Sequence, residues 1–128
     1  MIEGLIRNTL LAVPEITEYT SKIFRISAPE GTTTPYIVIN ADDQPDESDV
    51  LALFEIDINI YDNREDRTFI KNISKKIKDT LHYEEFEEFG DYENIRIYFQ
   101  NKNTVKENRS TLVSTSLSFT ARATEKYQ

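Results

Sequence analysis

The chain has no cysteine, only one histidine and only three glycines in 128 residues. Without cysteine there is no disulfide, no thiolate metal site and no cysteine nucleophile, a pattern that fits a reducing compartment. Three isolated glycines cannot build a phosphate-cradling loop. His82, at the predicted C-terminal end of a helix, is placed to favour the helix dipole, and no nucleophile is identifiable to pair with it. Long apolar runs are absent as well, since nothing approaches the roughly 20 residues of a membrane span. The first residues carry Glu3 and no basic leader, unlike a signal peptide. A soluble, cytoplasmic chain is expected, which leaves the Asn-x-Ser triplets at Asn72 and Asn108 without consequence.

Cations are scarce in two stretches. The net charge is −8, and residues 42–49 (Asp42, Asp43, Asp46, Glu47, Asp49) and 83–93 (Glu84, Glu85, Glu87, Glu88, Asp91, Glu93) together hold 11 acids and no Lys or Arg. Setting those aside leaves 12 acids against 15 Lys plus Arg, so the remainder is mildly basic. Binding to phosphate backbones depends on clustered Lys and Arg, and no such footprint is present overall.

What is present is organised around residues 53–61, LFEIDINIY. Phe54, Ile56, Ile58 and Ile60 alternate with Glu55, Asp57 and Asn59. Successive strand residues point to opposite faces, so this is a β-strand with one apolar and one polar, acidic face. At 128 residues the chain is expected to form a single domain, 1–128, with one core of two packed layers.

Ile2, Leu5, Ile6, Leu10 and Val13 recur at helical spacing, predicting a first helix that Pro14 stops. Ile23, Phe24 and Ile26 suggest a short extended run before the punctuated loop APEGTTTP. Residues 36–40, YIVIN, are β-formers on both faces and predict a strand covered on both sides. The acidic connection 41–50 predicts an antiparallel hairpin with a long tip. After Tyr61, Asp62 or Asn63 is the expected N-cap, with Glu65 and Asp66 at the positive dipole end of a second helix. Its apolar stripe is Phe69, Ile70, Ile73, Ile77 and Leu81. YEEFEEFGDYE reads as an acidic loop pinned by its aromatics, with at most one helical turn. Ile95, Ile97 and Phe99, then Val113, Thr115, Leu117, Phe119 and Ala121, predict two further strands joined through polar NKNTVKENR. One core is expected to hold Phe54, Ile56, Ile58, Ile60, Phe69, Ile73, Ile77, Leu117 and Phe119.

Candidate chemistry is thin. The acids of residues 42–49 lack the glycine and late bidentate Glu of a calcium loop, and a solvated hairpin tip is the simpler reading. Glu55 and Asp57 lie on one strand face about 7 Å apart and are the only residues that suggest a Mg²⁺-dependent nuclease. No lysine follows them at a useful spacing.

The order of segments, a helix with LLAV, then KIFRISAPEGTTTPYIVI, an acidic loop, FEIDINIYD running straight into a helix with IKNISKKIKDTL, and finally SLSFTARA, resembles the tail-completion or tail-terminator proteins of long-tailed bacteriophages and prophages. The resemblance spans nearly the whole chain; the acidic YEEFEEFGDYE insert and the NKNTVKENRST connection depart from it. It implies an α+β subunit with two helices on a mostly antiparallel sheet of four to five strands. It also implies a homo-hexameric ring on the head-proximal end of the tail tube, touching the tail tube protein and the head-tail connector protein. DNA would be passing cargo only, and no cofactor, metal, membrane contact or catalysis is implied. The nearest rival is a head-completion or connector adaptor. For the ring contact, Asp42, Asp43, Asp46, Glu47 and Asp49, or failing them Glu84 to Glu88, are expected against Arg67, Lys71, Lys75 and Lys78 of the adjacent subunit. Tyr36 and Val38 are the expected apolar contribution.

Overall fold

In the computed structural model, which describes residues 2–44, 51–64, 67–106 and 113–126, nine elements build an α+β fold. They are α1 (Ile2–Leu11), α2 (Pro14–Tyr19), β1 (Ile23–Arg25), β2 (Tyr36–Gln44), β3 (Leu51–Asp62), α3 (Thr68–Leu81), β4 (Glu85–Phe89), β5 (Tyr92–Lys106) and β6 (Val113–Glu125). One sheet has the order β1-β2-β3-β6-β5-β4, parallel only between β1 and β2. The strand predicted as the organiser is β3, and it sits in the middle, paired along its length with β2 and β6.

The core lies on one face of the sheet. Ile56, Ile58 and Ile60 of β3, Leu117, Phe119 and Ala121 of β6 and Ile95 and Ile97 of β5 are essentially inaccessible to solvent. Burying such side chains contributes about 1.5–3 kcal/mol each. All three helices close over this face, α1 with Ile2, Leu5, Ile6 and Leu10, α2 with Ile16, and α3 with Ile70, Ile73, Ile77 and Leu81. Ser74 lies in the apolar stripe of α3, and its hydroxyl donates to the Ile70 carbonyl at 2.6 Å, which leaves no unmet polar group there.

Four expectations change. Among the described residues the helices number three, because Pro14 both stops α1 and occupies the first turn of α2, where its missing N–H costs nothing. Among the described residues the strands number six. YEEFEEFGDYE holds most of a β-hairpin, with β4 joined to β5 across Gly90 and Asp91 and Gly90 at φ +60°. A two-residue turn needs that positive φ. Its acids lower β-propensity, yet Phe86, Phe89 and Tyr92 pack against the core and hold the strand in place, as pinning aromatics were expected to do. NKNTVK is not a connection but the second half of β5, continuing the ladder to β6 beyond a bulge between Phe99 and Asn101. Finally, α3 begins one turn later than expected. Arg67 occupies the N-cap position with no side-chain cap, and Asp62 ends β3 instead; Glu65 and Asp66 lie outside the described residues.

Asp62 has another task, and Phe69 follows from it. Asp62 is 3% exposed and accepts hydrogen bonds from the Tyr19 hydroxyl at 2.7 Å, the Arg64 N–H at 3.1 Å and the Arg64 guanidinium at 3.0–3.2 Å. The Arg64 guanidinium then lies 4.2 Å from the centre of the Phe69 ring and 5.2 Å from that of Tyr19. Phe69 is therefore 47% exposed and flanks this cluster outside the core, where Ile70 takes the buried position expected of it. Burial alone would raise the Asp62 pKa, but the hydrogen bonds from Arg64 and Tyr19 outweigh it and hold the carboxyl below its usual range. A lowered folded-state value stabilises the protein above the unfolded pKa of about 4, and this contribution is lost as pH falls through the folded value. Asp62→Asn should therefore cost about 1–3 kcal/mol near neutral pH. The gap to the parent should close as pH drops below about 4. Denaturant titrations at pH 7 and pH 3 check it, and an equal gap at both would overturn the assignment.

Candidate assembly surfaces

The helices cover one face of the sheet and leave the other open. The alternation in β3 and β6 sets its character: Glu55, Asp57 and Asn59 of β3 lie beside Thr120, Ser118 and Ser116 of β6. On β2 the same face holds Tyr36, Val38, Asn40 and Asp42, and on β5 Asn101 and Asn103. Hydroxyls and amides dominate its centre. Two arginines stand toward one end, Arg96 directly opposite Arg122, with Arg96 ion-paired to Glu85. Together with Tyr98 and Glu87 they line a recess of about 590 Å³.

Glu55 and Asp57 are both exposed on this face, as the strand period requires. They border a shallow recess of about 320 Å³ with Gln100, Asn101, Ser118 and Thr120, and Ser118 donates to Asp57 at 2.8 Å. Asp42 stands directly across from Glu55. Among the described residues no group of three or more His, Asp or Glu is gathered as a metal would require. The lining offers no lysine or histidine beside the pair to act as acid or base. Its chemistry is that of an acidic, solvent-exposed sheet surface.

The residues expected at a subunit contact divide into three groups. Arg67, Lys71 and Lys75 are exposed on the outer side of α3, and Lys78 is half-buried with its ammonium 4.5 Å from the centre of the Phe99 ring. The helical period does bring these four to one side, with Lys71 and Lys75 turned away from Ile70, Ile73 and Ile77 and Lys78 at the flank of that stripe. Tyr36 stacks on Tyr61 with ring centres 4.8 Å apart and meets Phe24 edge-on at 6.5 Å, while Val38 is 7% exposed. The apolar ground on the open face is therefore the cluster of Phe24, Tyr36 and Tyr61 rather than Val38. Asp42 is exposed near the end of β2 and Asp43 continues the strand, whereas Asp46, Glu47 and Asp49 lie outside the described residues. Within one subunit, among the described residues, no ion pair joins Asp42 to the α3 stripe. In the second acidic stretch Glu85, Glu87 and Glu88 are exposed along β4, and Glu88 is ion-paired with Lys126.

His82 does something the sequence did not suggest. Its Nδ1 accepts the Phe99 N–H at 2.9 Å, so the ring ties the end of α3 to β5. Tyr83 beside it has φ +64°, a conformation uncommon for a bulky residue, and its ring is 65% exposed against His82 and Tyr98. No spacing rule marks a left-handed tyrosine, since the position is imposed by its N–H bond to the Ile97 carbonyl.

Residues 4–124 match a family model described as "Tail completion protein gp17". Among solved structures, the fold matches a chain of one described as "Virion of native gene transfer agent (GTA) particle", with a TM-score of 0.81 at 12% identity, over 96% of this chain and 94% of that one. At that identity the likeness shows the fold alone. No curated protein matches the chain.

Proposed function

Because the chain belongs to the bacteriophage tail-completion family described as tail completion protein gp17, we propose that it is a tail terminator. Six copies form a ring on the head-proximal end of the finished tail tube, stop its polymerisation and present a surface to the head-tail connector. The partners are further copies of the chain, the tail tube protein and the connector protein. The protein is made in the host bacterial cytoplasm and ends at the head-tail junction of the virion. The observation that carries this reading is the family match over 121 residues, from 4 to 124. The open sheet face adds support: its hydroxyls, amides and carboxylates outnumber its two arginines, so DNA travelling past it is not retained as it would be by a cationic surface. The role needs neither catalysis nor cofactor, and incubation with DNA and Mg²⁺ should leave the DNA intact.

In a ring every contact is head-to-tail, so two different patches of the chain must meet. The acidic stretch 42–49 that ends β2 is assigned to meet Arg67, Lys71, Lys75 and Lys78 of the neighbour, apart from Asp42, whose strand position places it on the face away from the helices. Exposed ion pairs are worth only about 0–1 kcal/mol each, so these charges set orientation and association rate more than affinity. Raising salt should slow ring formation measurably by light scattering. The biological test is removal of the gene. Overlong or unjoined tails and few infectious particles are expected, whereas normal tails with empty or leaking heads would identify a head-completion adaptor instead.

A further inference from the structure

The sheet has two open edges, and they are complementary. β1 pairs only with Ile37–Ile39 of β2, so residues 40–44 have no strand on their outer side among the described residues. β4 pairs only with residues 92–96 of β5, so residues 101–106 are likewise open, and Gln100 to Thr104 are all exposed. The two segments lie at opposite ends of opposite edges. One is acidic, NADDQ, and the other is basic, NKNTVK.

Backbone direction settles which groups are available. Ile37 and Ile39 bond outward to Lys22 and Ile26, so by alternation Ala41 and Asp43 also direct their N–H and C=O outward. On β5, Ile97 bonds outward to Tyr83 and Glu84; after the bulge the outward residues are Lys102, Thr104 and Lys106.

We propose that neighbouring copies of this chain join edge to edge, Ala41 and Asp43 of one exchanging antiparallel backbone hydrogen bonds with Thr104 and Lys102 of the next, so that the sheets of the ring merge into one closed β-barrel with the helices outside. This rests on the ring reading above and specifies its contact. The acidic segment NADDQ then runs beside the basic segment NKNTVK, and opposite charges on paired strands favour this pairing. Lys78 of α3 lies over Phe99 of the same β5, so the cationic helix stripe and the open edge form one surface for the acidic strand end.

Sheet geometry supports closure. Ala41 stands level with Phe119 and Thr104 with Thr115, so each copy is raised by four residues relative to its neighbour. That step keeps the neighbour's β5 clear of all but the last residue of β1. At about 3.3 Å per residue and 4.8 Å per strand, four residues over the four strands β2, β3, β6 and β5 give a tilt of about 35°, within the range of closed barrels. Seen from the helices with β2 upward, the chirality of L-residues places β1 on the right and β4 on the left, given the outward bonds of Ile37 and Ile39. The next copy is then up and to the right. Its strands lean right, the hand that strand twist imposes when the helices are outside. Six copies would make a barrel about 45 Å across, lined by the open polar face.

In this register Asp42 and Asn103 form the intervening non-hydrogen-bonded pair, with Cα atoms about 4.5 Å apart, within disulfide reach. The chain has no cysteine of its own, so Asp42→Cys with Asn103→Cys should oxidise to a ladder of covalent oligomers ending in a closed ring, and neither single variant should. Thr104→Pro removes an outward N–H and with it the hydroxyl contact to Thr115 at 3.2 Å, so it should lose rings while unfolding like Thr104→Val, which gives up that contact alone and should still assemble. If the parent forms rings but the cysteine pair does not crosslink and Thr104→Pro assembles normally, the edge contact is wrong and the ring stands. Crosslinking of Asp42→Cys to Val105→Cys in preference would overturn the register. A parent that stays monomeric both alone and on tail tubes would overturn the ring and the edge contact together.

Discussion

Phe119→Ala should cost the fold about 3–5 kcal/mol, a large share of the about 5–15 kcal/mol that holds a native domain together. Phe119 is 1% exposed, paired between Ile56 of β3 and Phe99 of β5, and its ring meets the Phe99 ring edge-on with centres 5.5 Å apart. Truncation removes the transfer energy of the ring and leaves a cavity in the middle of a six-stranded sheet, where neighbouring strands cannot collapse to fill it. Ile58→Ala and Ile73→Ala, on the sheet and helix sides of the same core, should each cost about 2–5 kcal/mol. Phe69→Ala should cost much less, because the ring flanks the Arg64 cluster outside the core. Chemical denaturation ranks the four variants, and a Phe69 cost equal to that of Phe119 would contradict the core boundary drawn here.

Lys71→Glu combined with Lys75→Glu should abolish ring assembly and leave the subunit folded. Both side chains are exposed on the outer side of α3, away from Ile70, Ile73 and Ile77, so reversing them touches no core contact. The change turns attraction for the neighbour's acidic strand end into repulsion at every interface of the ring, and like charges facing each other cost several kcal/mol at an interface. Six identical contacts multiply that effect. Circular dichroism should be unchanged while light scattering shows only monomer. Rings that form as readily as the parent's, at low and high salt alike, would remove the helix stripe from the interface and leave the β5 edge to act without it.

The sequence by itself determined the parts of this protein that obey a local period. Alternation over residues 53–61 and 113–121 gave both central strands and their buried face, and three- and four-residue spacing gave α1 and α3, because burying one side of an element demands that pattern wherever it lies. Glu55 and Asp57 on the open face and the four cations on one side of α3 follow from the same rule. Tertiary structure decided what depends on partners distant in sequence. β4 is a strand because Phe86 and Phe89 find the core and β5 offers a ladder, against the propensity of its glutamates. Asp62 ends β3 because Tyr19, 43 residues away, meets its carboxylate, which draws Arg64 across Phe69 and takes that ring out of the stripe. The open edges of β2 and β5 exist only because β1 and β4 are short and sit at opposite corners of the sheet. A period reports which side of an element is buried; which backbone groups remain unpaired depends on strand order and register, and these are set by the packing of the whole chain.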